Sequence, residues 1–338
     1  MYSDTLLKED QVRALYCTIL INSLTLVTAT FDPIGVCVDP LAASVNHSCE
    51  PNAVVVFDGP QLSLRAPKGI REGEEITISY IDNTEPFHRR QRQLLDRYFF
   101  QCACQKCQCG STQREDRLPG NASDGHEYAA LEARCFNLLE EVRKTPGAEA
   151  PSGRLLEAVD GLKSLPHGWP VDRQPWPSLR QQLGLSYLAS GEWLHATLHM
   201  LKTYFDIDPL LFPQSWHPVR VVHNWCLVML LLQISSLHQS APWTLKTVAA
   251  FEVDYGKVVW GLLTEVESNV GQSHGHESRF AKLVRKKRHQ VKTDMARDDA
   301  MHLERLQDKH WLEKEWSKLR QIAELADAPT AALVRLSK

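Results

Sequence analysis

The chain has 338 residues, a length suited to about two domains of ~150 residues, each able to bury a core. With 43% hydrophobic and 23% charged residues it is not a disordered chain, and Lys+Arg 38 against Asp+Glu 41 gives a net charge of -3, without global attraction for nucleic acid or an anionic membrane. The longest purely apolar run, Cys226 to Leu232, is far short of the ~20 residues of a membrane span, and the N-terminus lacks the basic start and apolar stretch of a signal peptide. The expectation is a soluble intracellular protein, cytoplasmic and/or nuclear, with no membrane partner.

Leu15 to Leu26 reads as an apolar-rich helix. Ala53 to Phe57 and Leu62 to Ala66 are short β-type runs joined at Asp58-Gly59-Pro60, so they read as a hairpin. After a turn at Gly69 to Gly73, Glu75 to Tyr80 alternates as a strand, and His88 to Tyr98 returns to helical spacing. A polar, Gly-rich linker follows from Gly110 to Gly125, and beyond His126 the sequence is helical, broken by prolines such as Pro166, Pro175, Pro209 and Pro242. Within it Leu183-Gly184, Tyr187, Ala196 and Pro209 approximate one tetratricopeptide unit, with Gly191 at the turn; an irregular helical bundle is the plainer alternative.

Nine cysteines, an odd number, argue against a secreted disulfide framework. Cys102, Cys104 and Cys107 crowd three thiols onto one short loop, as metal ligands do, and tetrahedral structural zinc needs a fourth. Cys109 is near, but Cys49 is better placed chemically, in the polar loop Asn46-His47-Ser48-Cys49-Glu50-Pro51-Asn52, where a thiol has little packing purpose. His47 is a further ligand candidate, though a four-thiolate site needs no imidazole, and redox-active thiols are the rival reading. Cys17, Cys37, Cys135 and Cys226, isolated in apolar settings, read as core residues. Arg279, Lys282, Arg285, Lys286, His289 and Lys292 recur every three or four residues, with Phe280, Leu283, Val284 and Val291 opposite. This is the solvated face of an amphipathic helix, with only a weak suggestion of nucleic acid or an acidic partner.

Three segments in this order, Asn46-His47-Ser48-Cys49-Glu50-Pro51-Asn52, Gly73-Glu74-Glu75-Ile76-Thr77-Ile78-Ser79-Tyr80, and Tyr98-Phe99-Phe100-Gln101-Cys102-Ala103-Cys104-Gln105-Lys106-Cys107, resemble the SET-domain protein lysine methyltransferases of the SET-and-MYND branch. The resemblance implies an α+β chain: the C-terminal portion of a β-rich SET domain at 1–101, a post-SET zinc-binding segment at 102–112, a linker at 113–125, and a helical tetratricopeptide-like domain at 126–338. It implies S-adenosylmethionine as cofactor, contacted by Asn22, Asn46 and His47, with Phe100 stacking on the adenine. It implies Tyr80 beside the transferred methyl, Tyr98 lining the lysine channel, and Zn2+ on Cys49, Cys102, Cys104 and Cys107. Leu24 stands where the branch commonly has an aromatic channel residue. The implied partners are a lysine-bearing protein, histone or non-histone, and a protein docking on the helical domain.

Such proteins begin with a Gly-rich strand pair and an inserted MYND finger. Here no Gly-x-Gly precedes residue 100 and only Cys17 and Cys37 precede the Asn46 motif. The expectation is therefore a chain that does not methylate efficiently by itself, from an incomplete gene model or a genuine short form. The alternative function is a catalytically silent SET remnant serving as a scaffold through its helical domain.

Overall fold

The computed structural model describes residues 8–112, 116–118, 125–144, 152–237, 251–298 and 309–328. Two compact units divide the chain, Met1–Gln113 and Arg114–Lys338. Most of the linker expected at 113–125, together with Pro146 and Pro242, lies outside the described residues.

The first unit opens with α1 (Glu9–Asn22), then β1 (Ser23–Val27) and β2 (Pro33–Val38), paired antiparallel with Leu24 opposite Cys37. The helix expected over Leu15 to Leu26 is therefore corrected. It starts six residues earlier and ends at Asn22, and Leu24 and Leu26 belong to a strand. The reason lies in the last four residues, where Leu24-Thr25-Leu26-Val27 alternates leucine with β-branched residues, a period-2 pattern that favours the pleated ribbon. None of the α1 residues is buried: Leu15, Tyr16, Ile19 and Leu20 are exposed, and so are Ile34, Val36 and Val38 of β2. Cys17 is exposed and Cys37 and Cys226 are half-buried, so of the four isolated cysteines only Cys135 is a buried core residue.

After α2 (Pro40–Ala43), β3 (Asn46–His47) pairs in parallel with the distant β6 (Thr77–Ile78). Between them β4 (Val54–Asp58) and β5 (Gln61–Arg65) form the expected hairpin, closing Asp58 onto Gln61 around Gly59-Pro60. Gly59 has φ of 63°, the left-handed region that costs other residues about 1–2 kcal/mol. Gly59→Ala is thus expected to lower stability by about 1 kcal/mol, visible as a depressed Tm. Of the strand expected over Glu75 to Tyr80, only Thr77–Ile78 enters a ladder. The unit ends with α3 (Phe87–Tyr98), α4 (Gln105–Gln108) and a 3-10 turn at Gly110–Thr112.

The regular elements among the second unit's described residues are helices: α5 (Gly125–Lys144), α6 (Ser152–Lys163), α7 (Trp176–Ala189), α8 (Trp193–Lys202), α9 (Asp208–Leu211), α10 (Pro218–Leu237), α11 (Tyr255–His274), α12 (Arg279–Asp298) and α13 (Lys309–Glu324). Tyr128, Leu139, Leu155, Val159, Leu179 and Leu183 are fully buried in the core of its first half. The α7–α8 pair stands at the repeat-like segment. Ala196 is fully buried, Gly191 turns the chain with φ of 73°, and a Cβ at Gly184 would lie 3.6 Å from His199 Cβ. These small residues let the two helices approach closely. Buried charge is paired: Arg173 holds Glu132 at 2.8 Å, and Arg180 bonds Asp327 and the Ala326 carbonyl, tying the Leu325–Asp327 turn onto α7. Pro218–Ser235 of α10 is long and apolar enough to cross a bilayer by length and composition, yet 56% of that window is buried inside the protein, as in a core helix. On α12 all six basic residues of the stripe are exposed or half-exposed while Phe280, Val284 and Val291 are buried; Leu283, expected on the apolar side, is exposed.

Candidate active site and metal centre

The two polar motifs are knitted together by one asparagine. The buried Asn52 side chain accepts from the Thr77 N–H at 2.8 Å and donates to the Glu75 carbonyl at 2.9 Å and to Glu74 Oε1 at 3.2 Å. The backbone continues the seam, with Ser48 N–H on the Ile78 carbonyl and Ala53 N–H on the Thr77 carbonyl. Asn46 projects outward and donates to Glu75 Oε1 at 2.7 Å. The Asn22 amide at the end of α1 donates back to the Thr18 carbonyl at 2.8 Å.

His47 is the hub. Its Nδ1 accepts the Tyr80 N–H at 3.0 Å, which fixes the tautomer with hydrogen on Nε2, and Nε2 lies 3.3 Å from Cys49 Sγ. Burial, helped by the positive charge of Arg90, pushes the imidazole down to about 4, so it is neutral near pH 7. Its ring centroid is 5.2 Å from Tyr80 and 5.9 Å from Phe100, and Tyr80 is 4.9 Å from Tyr98. The Tyr80 hydroxyl donates to the Val45 carbonyl at 2.6 Å, and the Tyr98 hydroxyl reaches the Tyr80 carbonyl at 3.4 Å. Burial, then the neighbouring Tyr98, raises the Tyr80 phenol above its usual value, so it stays protonated. Tyr80 and Tyr98 border a cleft of about 240 Å³ that Asn22, Leu24 and Arg97 also line.

Helix α3 delivers these pieces through its spacing. Arg90, Leu94 and Tyr98 recur every four residues on one face; Arg90 and Leu94 are fully buried, and Leu94 and Tyr98 pack among the cysteines. Phe99 then adopts φ of 61° and caps the helix on the Leu95 carbonyl, turning Phe100 and Cys102 back toward the core.

Cys49, Cys102, Cys104 and Cys107 offer sulfurs all within 4.8 Å of one another. Cys107 Sγ is 3.5 Å from Cys49 Sγ, close to the ~3.8 Å edge of a tetrahedron with Zn–S bonds of about 2.3 Å. The group could hold zinc. Burial raises the Cys49 and Cys107 thiols. It would also raise Cys104, but backbone hydrogen bonds at Cys107 and Cys49 and the neighbouring thiols outweigh it and bring Cys104 to about 7. Cys109 stands apart, exposed at the end of α4 with Sγ 3.6 Å from the Gln105 carbonyl.

Every candidate site residue named from the sequence lies among the described residues, and the structure draws His47, Tyr80, Tyr98, Phe100 and the four cysteines into one cluster. Asn22 lies at the cleft beside the tyrosines, while Asn46 faces solvent at the Glu75 side. Sequence reasoning missed Asn52 as the clamp between motifs, Val45 as the acceptor for Tyr80, and the α3 residues Arg90 and Gln91. Asn52 at least stood inside a recognised motif; the others carried no spacing signal.

Residues 4–81, which include the Asn46 to Tyr80 seam, match the SET domain family. The chain is also homologous to SET-and-MYND methyltransferases. It is 42% identical over 174 residues to "SET domain and MYND-type zinc finger protein 6" of Schizosaccharomyces pombe, covering 52% of this chain and 31% of that one. It is 42% identical over 101 residues to the human histone-lysine N-methyltransferase SMYD3 (30% and 23%), and 33% identical over 154 residues to the human N-lysine methyltransferase SMYD2 (45% and 35%). The chain therefore spans about a quarter to a third of the length of these curated relatives.

Proposed function

We propose that the first unit serves S-adenosylmethionine-dependent methylation of protein lysine, histone or non-histone, turning over slowly on its own, with a post-SET zinc on Cys49, Cys102, Cys104 and Cys107. The observation that carries this reading is the packing of Tyr80, Tyr98, His47 and Phe100 against one another beside the four-thiol cluster. When bound, the cofactor supplies an electrophilic sulfonium methyl and the zinc a fixed charge that ties two distant loops.

The chain's own residues then have definable tasks. The aromatic walls of Tyr80 and Tyr98 exclude water, which disfavours a lysine ammonium that otherwise titrates near ~10.4. Their faces attract cationic methyl-sulfonium and methyl-ammonium groups by roughly 0.5–2 kcal/mol each. Because the Tyr80 proton is committed to the Val45 carbonyl, the phenol oxygen keeps its lone pairs free to accept from polarised C–H or N–H groups in the cleft. Phe100 and neutral His47 offer flat surfaces for an adenine, and holding nitrogen, methyl and sulfur in line supplies most of the remaining rate. The helical unit we read as a tetratricopeptide-like partner-docking domain, on the strength of the α7–α8 pair.

A scaffold function is the second reading. It is favoured by the Asn22 and Asn46 amides, both of which donate within the protein. The deciding experiment is transfer of labelled methyl from S-adenosylmethionine to a lysine-bearing protein by the zinc-loaded chain. Methyl-lysine in the hydrolysate supports the enzyme; its absence, with no cofactor binding, supports the scaffold.

A further inference from the structure

Helix α3 carries a side chain that the proposed chemistry does not use and that local sequence pattern does not explain. Gln91 lies half-buried, and its amide meets one residue's backbone in both directions. Gln91 Nε2 donates to the Cys102 carbonyl at 2.8 Å, and the Cys102 N–H donates to Gln91 Oε1 at 3.0 Å. A primary amide paired to both polar groups of one residue fixes its position and its rotation about the chain, as two converging bonds always do. The residue so held is a buried cysteine of the four-thiol cluster, at the start of the loop that supplies three of its sulfurs.

We propose that Gln91 is the positioning residue of the metal centre: its amide clamps the Cys102 backbone so that the Cys102 thiolate is aimed at the ion before the ion arrives. The inference rests on the zinc reading above and assigns a new role within it. Without the clamp, the Cys102 backbone loses both bonds to α3, and the energy of organising the loop is subtracted from metal affinity. Outer groups that orient metal ligands contribute roughly 10–100-fold in affinity in comparable sites. Because α3 also carries Tyr98, two turns further along the same face, the same clamp joins the metal loop to the helix that presents the tyrosine at the cleft.

The test uses the full chain loaded with zinc or cobalt(II). Gln91→Met keeps the volume and removes both hydrogen bonds; Gln91→Glu keeps the acceptor for the Cys102 N–H but loses the donor; Arg92→Met, at an exposed neighbour, is the control. Zinc release to a chromophoric chelator is expected to accelerate roughly 10–100-fold in Gln91→Met and less in Gln91→Glu. The cobalt thiolate charge-transfer and ligand-field bands should shift in Gln91→Met and match the parent in Arg92→Met. These metal spectra report ligand geometry, which a merely structural loss of stability in the loaded protein would leave alone. Parent-like release and parent-like cobalt bands in both Gln91 variants would overturn the positioning role while leaving the zinc centre standing. Failure of the parent chain to bind either metal would overturn both.

Discussion

Replacing Cys49 with serine should empty the metal centre, whereas replacing Cys109 should leave it filled. Cys102, Cys104 and Cys107 come from one short segment that runs into α4 and would provide three corners of the proposed site; the fourth would come from the loop between β3 and β4, where Cys49 is 1% exposed and 3.5 Å from Cys107. Structural zinc contributes apparent binding energies of about 10–16 kcal/mol in small domains, and a serine hydroxyl is a poor substitute for a thiolate. Loss of that corner should weaken zinc by more than about 100-fold, beyond what outer-sphere changes cause. It should also loosen the tail, because a bound metal would bond both the 102–107 segment and the Asn46 loop. Cys109 is exposed and outside the cluster, so Cys109→Ser keeps one zinc per chain. Elemental analysis reads both outcomes directly. Full zinc in Cys49→Ser would remove Cys49 from the centre.

Tyr80→Phe should lower methyl transfer far more than it lowers stability. The substitution deletes one hydroxyl and its bond to the Val45 carbonyl, worth about 0.5–1.5 kcal/mol. The ring remains, so its packing at 5.2 Å from His47 and 4.9 Å from Tyr98 survives. What disappears is the hydroxyl oxygen that the Val45 carbonyl orients at the cleft. Preorganised polar groups of this kind change turnover by about 10²-fold or more when removed. The comparison is of the labelled-methyl rate, variant against parent, with the Tm of each measured alongside. A variant that turns over as fast as the parent would take Tyr80 out of the mechanism.

Local pattern and tertiary organisation were legible to different degrees. The β4–β5 hairpin could be read because Gly59-Pro60 is a turn signal between two β-rich runs, and that information is entirely local. The thiols could be read because cysteines crowded into a polar loop pack poorly and bind metal well. The end of α1 could not, since Leu24 and Leu26 satisfy both a helical and a strand period and only their pairing with Gly35 and Cys37 settles the choice. The same ambiguity extended the strand at Glu75 to Tyr80, where Asn52 takes over the Thr77 N–H and the Glu75 carbonyl that a neighbouring strand would otherwise occupy. Arg90, Gln91 and Asn52 act through contacts to residues between 11 and 25 positions away or through burial, and no spacing rule marks them. Cys17 resembled a core residue by its apolar neighbours, yet on α1 those neighbours are themselves exposed.

The central claim is that the aromatic cluster beside the thiols is a cofactor site. Calorimetric titration of the zinc-loaded chain with S-adenosylmethionine tests it most directly, with Phe100→Ala as the paired variant. The account predicts saturable binding at a single site, weakened in the variant by the loss of base stacking worth roughly 1–3 kcal/mol. No heat of binding at any attainable cofactor concentration, or binding that Phe100→Ala leaves unchanged, would contradict it.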